Sequence, residues 1–166
     1  MMGRRLRHGL WVIALLGSAA SAQTAPGWTR HEVISSGQPT HAQLRAAAAR
    51  GITTVIDLRA PDEPRGYDET TAAEALGLRY VRLPIRNADA LTPEAVRALQ
   101  RILRQQTGGP VLLHCASGNR AGALLALLAA REGASTEQAL QLGREAGMQP
   151  SLEPAVHRQL QPAPHR

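Results

Sequence analysis

The chain has very few aromatic side chains: no phenylalanine, two tryptophans and two tyrosines in 166 residues. It also has no lysine, so all 19 basic residues are arginine. Three of these arginines lie in the first 22 residues, which leaves 16 against 13 acidic residues, a net charge of +3. Proteins that bind single-stranded nucleic acid stack bases on aromatic rings. This composition therefore argues against a nucleic-acid partner.

Cysteine is also scarce, because Cys115 is the only one in the chain. A single cysteine cannot form a disulfide within its own chain, which excludes a disulfide-stapled scaffold. The histidines show no spacing typical of metal ligands, and the chain has no glycine-rich loop of the nucleotide-binding kind. The sequence thus predicts neither a metal nor a cofactor.

The N-terminus has the pattern of a secretory signal peptide over residues 1–22. A basic stretch at residues 4–8 precedes an apolar run at 10–16, and residues 20–22 form a small-residue cleavage site. A membrane anchor is the alternative, but this apolar run is too short to span a bilayer comfortably. We expect a periplasmic or secreted protein that begins at Gln23 and has no membrane partner after cleavage.

Short apolar segments alternate with helical patterns through the rest of the chain. This order predicts an α/β fold, a mostly parallel sheet flanked by helices, in one domain over residues 23–147. Residues 148–166 are rich in proline and are predicted to form an irregular tail. The predicted strands lie at 28–34, 52–56, 78–85 and 111–114; the predicted helices begin near Thr40, Asp68, Thr92, Arg120 and Ser135.

Cys115 lies where the last predicted strand ends and a helix begins. Backbone N–H groups converge at such a position and the helix dipole is positive there, so that both favour a thiolate. Arg120 closes a small loop whose amides would bind an oxyanion: Ala116, Ser117, Gly118 and Asn119. Gly122 would let the helix pack closely. A lone cysteine after an apolar run is often an inert core residue, but these neighbours favour a nucleophile.

The pattern His114-Cys115-x-x-Gly118-x-Arg120 resembles the signature loop of cysteine-dependent protein tyrosine and dual-specificity phosphatases. Residues 34–40, 55–59 and 77–84 resemble the phosphatase-like domain of beta-lactamase-hydrolase-like proteins. The resemblance spans about residues 34–132. It implies a protein-tyrosine-phosphatase-like fold that acts on phosphate esters of a small anionic or phosphorylated substrate through a cysteinyl-phosphate intermediate.

Two departures from the phosphatase pattern leave other functions open. Four residues separate Cys115 from Arg120 where phosphatases usually have five, and four is the length in rhodanese-type sulfurtransferases. Ala121 stands where phosphatases commonly have a hydroxyl. The alternatives are therefore a sulfurtransferase that forms a persulfide on Cys115, and a non-catalytic module that binds oxyanions.

The resemblance also implies roles for residues outside the loop. Asp89, upstream of the cysteine, is the candidate general acid for the leaving group; it is alternatively a solvated loop carboxylate. His114 is grouped with the substrate-binding residues and would orient the loop, unless it is simply a core histidine. Asp57, Arg59 and Glu63 could form a network near the loop in which Glu63 orients Arg120; they are alternatively ordinary charges of a strand end and a loop.

Overall fold

The computed structural model describes residues 32–106 and 108–161. The predicted signal peptide at residues 1–22 lies outside these residues, so the expected export stays a prediction. Among the described residues, no helix is both long enough and apolar enough to cross a membrane.

Four parallel strands form the sheet in the described part of the chain: β1 (Val33–Ser36), β2 (Thr54–Asp57), β3 (Arg79–Arg82) and β4 (Val111–His114). Their spatial order is β1-β4-β2-β3. In the register, His114 pairs with Ser36 on one side and with Asp57 on the other. The carboxyl ends of the strands are therefore level, and Cys115 lies just beyond that edge. The predicted parallel α/β sheet is confirmed.

Helices cover both faces of this sheet: α1 (His41–Ala49), α2 (Glu69–Ala75), α3 (Pro93–Arg104), α4 (Asn119–Arg131), α5 (Thr136–Glu145) and α6 (Glu153–Leu160). The start signals in the sequence are confirmed, because Thr40 and Ser135 each form a reciprocal capping box. Thr92 caps α3 and is followed by proline at the first helical position.

The strand residues alternate between two apolar cores. Val55 and Leu112 face α1 and α2, whereas Ile56 and Leu113 face α3 to α6. Both central strands, β2 and β4, are buried along their whole length. Burial on both faces explains why these segments read as nearly continuous apolar runs in the sequence.

Helix α4 packs closely against α5 at a pair of glycines. A Cβ placed on Gly122 would lie 2.3 Å from the backbone nitrogen of Met148 and 2.6 Å from the carbonyl oxygen of Gly143. Only glycine fits at such a distance from a backbone. The interpretation of Gly122 as a close-packing residue at the start of the helix is confirmed.

The prediction of an irregular tail over residues 148–166 is wrong in the part that the structure describes. Residues Glu153–Leu160 form α6, and Val156 is fully buried against the core. The side chain of Gln159 donates a hydrogen bond to the carbonyl of Leu91. Proline misled the prediction, since Pro154 lies in the first turn of α6, where a missing N–H costs no hydrogen bond.

The contact at Gly122 predicts a large loss of stability in Gly122→Ala. We expect the free energy of unfolding to fall by about 1–3 kcal/mol, because backbone atoms must move to admit the methyl group. The matched control is Gly108→Ala, where the new Cβ meets side-chain atoms of Thr53, the nearest of them the methyl at 3.4 Å. Denaturant unfolding measures both variants, and equal losses would contradict the packing argument.

Candidate active site

The loop after β4 folds around the sulfur of Cys115. Gly118 has φ +90° and ψ −18°, in the left-handed region that favours glycine, and it is the N-terminal cap of α4. In this conformation the Gly118 N–H donates to the Cys115 Sγ at 3.1 Å. The thiol is buried and lies at the positive end of α4. One of the expected backbone N–H groups, that of Gly118, thus points at the sulfur.

The segment after β1 braces the loop from one side. The Gln38 N–H donates to the carbonyl of Ala116 at 3.1 Å, and Gly37 pairs with Ser117 as an isolated antiparallel bridge. A Cβ on Gly37 would lie 3.1 Å from the Ala116 oxygen, so glycine allows this close approach. Two peptide groups of the loop are thereby held in fixed orientations.

Arg120 is held at the opposite side of the loop by Glu63. Its Nη1 and Nη2 donate to the two carboxylate oxygens of Glu63 at 2.6 and 2.7 Å, and Nη1 also donates to the Ile85 carbonyl at 2.7 Å. The hydrogen bonds that Arg120 donates to Glu63, and then the attraction of the Cys115 sulfur, raise the pKa of Arg120. The same hydrogen bonds lower the pKa of Glu63. The predicted Glu63–Arg120 contact is confirmed.

Asp89 lies in a short 3₁₀ turn, Ala88–Ala90, which Asn87 caps. Its side chain is exposed, and the turn follows the segment at Ile85 that contacts Arg120. The turn is therefore connected to the arginine side of the loop. The role of Asp89 as general acid stays a prediction.

The side chain of His114, which the sequence groups with the substrate-binding residues, lies in the protein interior. Its side chain is fully buried, with Nε2 3.1 Å from Glu69 Oε1 and Nδ1 3.3 Å from the Cys115 carbonyl oxygen. Strand alternation turns the histidine into the protein interior behind the loop. The substrate-binding role of His114 stays a prediction.

The side chain of Asn119 is also engaged away from the loop centre. Its Oδ1 accepts from the Gln149 N–H at 2.8 Å, and its Nδ2 donates to Ser151 Oγ at 3.1 Å. Any contact of Asn119 with an anion is therefore limited to its backbone. Ala116 and Ser117 are exposed, whereas Gly118 is buried.

Behind the loop lies a buried charge cluster formed by Asp57, Arg59, Glu69 and His114, each at most 1% exposed. Arg59 makes a fork to Asp57, with Nε–Oδ1 at 2.8 Å and Nη2–Oδ2 at 3.0 Å, and it also binds Glu69. Arg59 thus forms ion pairs with both carboxylates. The network expected of Asp57 and Arg59 forms here, whereas Glu63 lies apart from it on Arg120.

Sequence reasoning missed three members of this environment: Glu69, Tyr80 and Arg65. The Tyr80 hydroxyl donates to Asp57 Oδ2 at 2.7 Å, and Arg65 Nε lies 3.4 Å from the same oxygen. Glu69 follows the Asp68 cap and looks like an ordinary acidic residue of a first helical turn. Only its burial distinguishes it, and no local pattern signals that burial.

The cluster brings three metal-ligand types together, since ligand atoms of Asp57, Glu69 and His114 lie within 4.8 Å of one another. Both carboxylates are already paired with Arg59, however. A divalent cation would place further positive charge beside a buried guanidinium, at a high electrostatic cost. We therefore assign this group to an ion-pair network and not to a metal.

A cysteine sulfur at the carboxyl edge of a parallel sheet, in a loop that an arginine closes, is the arrangement of cysteine-dependent phosphatase folds. The family described as "DSP-PTPase phosphatase fused to NAD+ Kinase" matches residues 17–156. The chain belongs to this family.

Among curated proteins, the chain is similar to beta-lactamase hydrolase-like proteins. It is 38% identical over 96 residues to the one from Xylella fastidiosa (strain Temecula1), which covers 55% of this chain and 22% of that protein. It is 32% identical over 102 residues to the one from Agrobacterium fabrum, which covers 59% and 23%. The chain thus spans less than a quarter of the length of these relatives.

Solved structures show the same fold. A Neisseria meningitidis protein named as a candidate phosphatase has a TM-score of 0.65 at 23% identity, covering 82% of this chain and 95% of that one. TpbA of P. aeruginosa, in complex with phosphotyrosine, has a TM-score of 0.55 at 18% identity, covering 80% of each chain. The protein-tyrosine-phosphatase-like fold is thereby confirmed.

The buried charge cluster predicts a defined loss of stability in acid. Burial raises the pKa of Asp57, but hydrogen bonds from Arg59 and Tyr80 outweigh it and lower the pKa from 3.8 to about 2. A depressed carboxyl pKa stabilises the fold above pH 3.8, and this contribution, about 2 kcal/mol, is lost as the pH falls towards 2.

Denaturant unfolding as a function of pH measures this contribution. We expect the part of the slope between about pH 4 and about pH 2 that belongs to Asp57 to vanish in Asp57→Asn. The exposed Glu74→Gln, on α2, is the control and should keep the wild-type slope. An unchanged slope in Asp57→Asn would contradict the assignment.

Proposed function

We propose that this protein hydrolyses phosphate monoesters with Cys115 as the nucleophile. The observation that carries the proposal is the loop geometry: the Gly118 N–H on the sulfur, with Arg120 held by Glu63 at the start of α4. Backbone N–H groups at a helix N-terminus and a guanidinium fork both bind tetrahedral oxyanions. Membership in a phosphatase family supports this chemistry.

The substrate dianion would be bound by the loop amides and Arg120. The Cys115 thiolate attacks phosphorus, so that a sulfur–phosphorus bond forms while the bond to the leaving oxygen breaks. Asp89 gives that oxygen its proton and then takes one from water. The water attacks the cysteinyl-phosphate, which releases inorganic phosphate and restores the thiolate. The phosphotyrosine bound by TpbA supports a phosphate monoester as the substrate class.

Glu63 would act as a positioning residue in this scheme. Its carboxylate is itself fixed, because Oε1 also accepts from the Ala60 N–H at 2.7 Å. A guanidinium held at two points loses less conformational freedom when an anion binds. The Glu63–Arg120 pair therefore supports anion binding without Glu63 touching the anion.

We also propose that the protein acts after export, in the periplasm or outside the cell. The basic, apolar and small-residue pattern of residues 1–22 supports this location. The substrate would then be a small anionic or phosphorylated molecule of that compartment.

A second candidate function is sulfur transfer, which one observation favours: the four residues between Cys115 and Arg120. The shorter loop has one backbone donor fewer than the usual phosphatase loop, which suits a sulfane sulfur better than a phosphoryl group. In this reaction the Cys115 thiolate takes the outer sulfur of thiosulfate, sulfite leaves with the electron pair of the broken S–S bond, and a thiolate acceptor later removes the sulfur.

The general-acid role predicts a substrate-dependent defect in Asp89→Asn. Phenyl phosphate has a poor leaving group that needs a proton, so its kcat should fall by about a hundredfold. Nitrophenyl phosphate releases nitrophenolate, which is a stable anion without a proton, so its turnover should change little. Asp62→Asn is the control, since Asp62 is an exposed loop carboxylate paired with Arg86. A selective loss in Asp62→Asn instead would contradict the assignment to Asp89.

Thiosulfate distinguishes the two candidate reactions. If the protein transfers sulfur, intact mass should show one added sulfur atom on wild type, absent from Cys115→Ser and removed by cyanide. If it is a phosphatase, the mass stays unchanged and wild type releases phosphate from aryl phosphates while Cys115→Ser does not. Binding of inorganic phosphate without either reaction would contradict both and leave an oxyanion-binding module.

A further inference from the structure

The side chain of Arg65 binds the backbone of its own loop, between β2 and α2. Nη1 donates to the Pro61 carbonyl at 2.9 Å and to the Glu63 carbonyl at 3.3 Å, and Nη2 donates to the Ala60 carbonyl at 3.1 Å. Residues 58–68 contain neither helix nor strand, so no helix or sheet supplies hydrogen-bond partners for these carbonyls. The planar guanidinium supplies them instead and holds the turn in one shape.

The guanidinium of Arg65 also connects this loop to the buried charge cluster. The side chain is only 15% exposed, and its Nε lies 3.4 Å from Asp57 Oδ2. Its contact with Glu63 is to the backbone carbonyl, whereas both carboxylate oxygens of Glu63 bind Arg120. Arg65 therefore fixes the backbone of Glu63 without competing for its carboxylate.

Residue 65 is connected to both sides of the loop after β4. On one side, the Arg65 carbonyl accepts a hydrogen bond from the side-chain amide of Gln38, and the Gln38 N–H donates to the carbonyl of Ala116. On the other side, Glu63 binds Arg120. Both braces of the candidate anion site are thus attached to the segment that the Arg65 side chain holds together.

We propose that Arg65 is a positioning residue for Arg120: its guanidinium fixes the backbone that carries Glu63, and Glu63 then orients the arginine that binds the anion. The inference rests on the proposed function only in that Arg120 binds the substrate oxyanion, so it applies to phosphate and sulfur transfer alike. Arg65 acts through Glu63 and has no contact of its own with the substrate.

Lysine is the informative replacement at position 65. Its ammonium keeps a positive charge beside Asp57, but a single compact head group does not reproduce a planar fork that spans three carbonyls. Arg65→Lys therefore separates the geometry of the side chain from its charge. Arg45→Lys is the matched control, because it makes the same change at an exposed position of α1.

The first test is nitrogen NMR of the Arg120 guanidinium, assigned through its own backbone resonances, in the protein without substrate. In wild type and in Arg45→Lys the two Nη groups should give separate signals, because hydrogen bonds to Glu63 and to the Ile85 carbonyl slow their rotation. In Arg65→Lys these signals should merge, as they should in Glu63→Gln. A folded Arg65→Lys that keeps separate Arg120 signals overturns the proposal.

The second test is a double-mutant cycle on the dissociation constant of inorganic phosphate, measured by calorimetry. Arg65→Lys should raise this constant about fivefold, which is the scale of ordering one long side chain on binding. In a Glu63→Gln background the same change should have no further effect, because Arg65 acts through Glu63. An equal effect of Arg65→Lys in both backgrounds would show that it acts by another route and would overturn the proposal.

The two tests distinguish this inference from the proposed function. If wild type binds no phosphate but its Arg120 signals merge in Arg65→Lys, the oxyanion site is contradicted and the positioning by Arg65 is supported. If Arg65→Lys does not fold, the Nη signals of Arg65 itself in wild type decide. They should be separate, because three carbonyls hold the guanidinium, and merged signals would contradict the proposal.

Discussion

The ion pairs made by the buried guanidinium of Arg59 are the interactions on which the active-site architecture depends. The guanidinium binds Asp57 at the end of β2 and Glu69 at the start of α2, and both carboxylates face His114 at the end of β4. Three elements that are distant in the sequence therefore meet at one charge cluster directly behind the nucleophile loop. Such a cluster is stable only as a whole, because removing one partner leaves an uncompensated buried charge that costs about 3–5 kcal/mol. The loop therefore lies against a charge cluster whose members cannot move apart without breaking an ion pair.

The loop in front of this cluster is held by neighbours on two sides. Gln38 binds it from the segment after β1, and Glu63 and the Ile85 carbonyl hold Arg120. A loop held in this way would lose little further conformational freedom on binding an anion. The chemistry then depends on loop length and on which acid is available, and these are the features in which the chain departs from the phosphatase pattern.

Much of the fold was predictable because its signals are local. The caps at Thr40, Thr92 and Ser135 mark helix starts with side chains that bind the neighbouring backbone, and this interaction involves only four consecutive residues. The buried strands follow from β-branched and apolar runs. Helix α6 was missed because its stability comes from Val156 packing on the core, whereas its own composition, with Pro154 in the first turn, resembles a loop. Cys115 and Arg120 were predicted because both belong to a short motif. Glu63 was predicted because its charge is opposite to that of Arg120.

The sequence by itself determined the alternation of strands and helices, the place of Cys115 and its loop between a strand and a helix, and the four-residue spacing to Arg120, since each depends on residues close together in the chain. Only the tertiary structure decided that His114 turns inward, that the side chain of Asn119 binds residues 149–151, and that Glu69 is buried beside the histidine. Each of these depends on contacts across 30 or more residues of chain. The sequence does not show whether a carboxylate is buried or solvated. That depends on whether distant elements pack around it and exclude water.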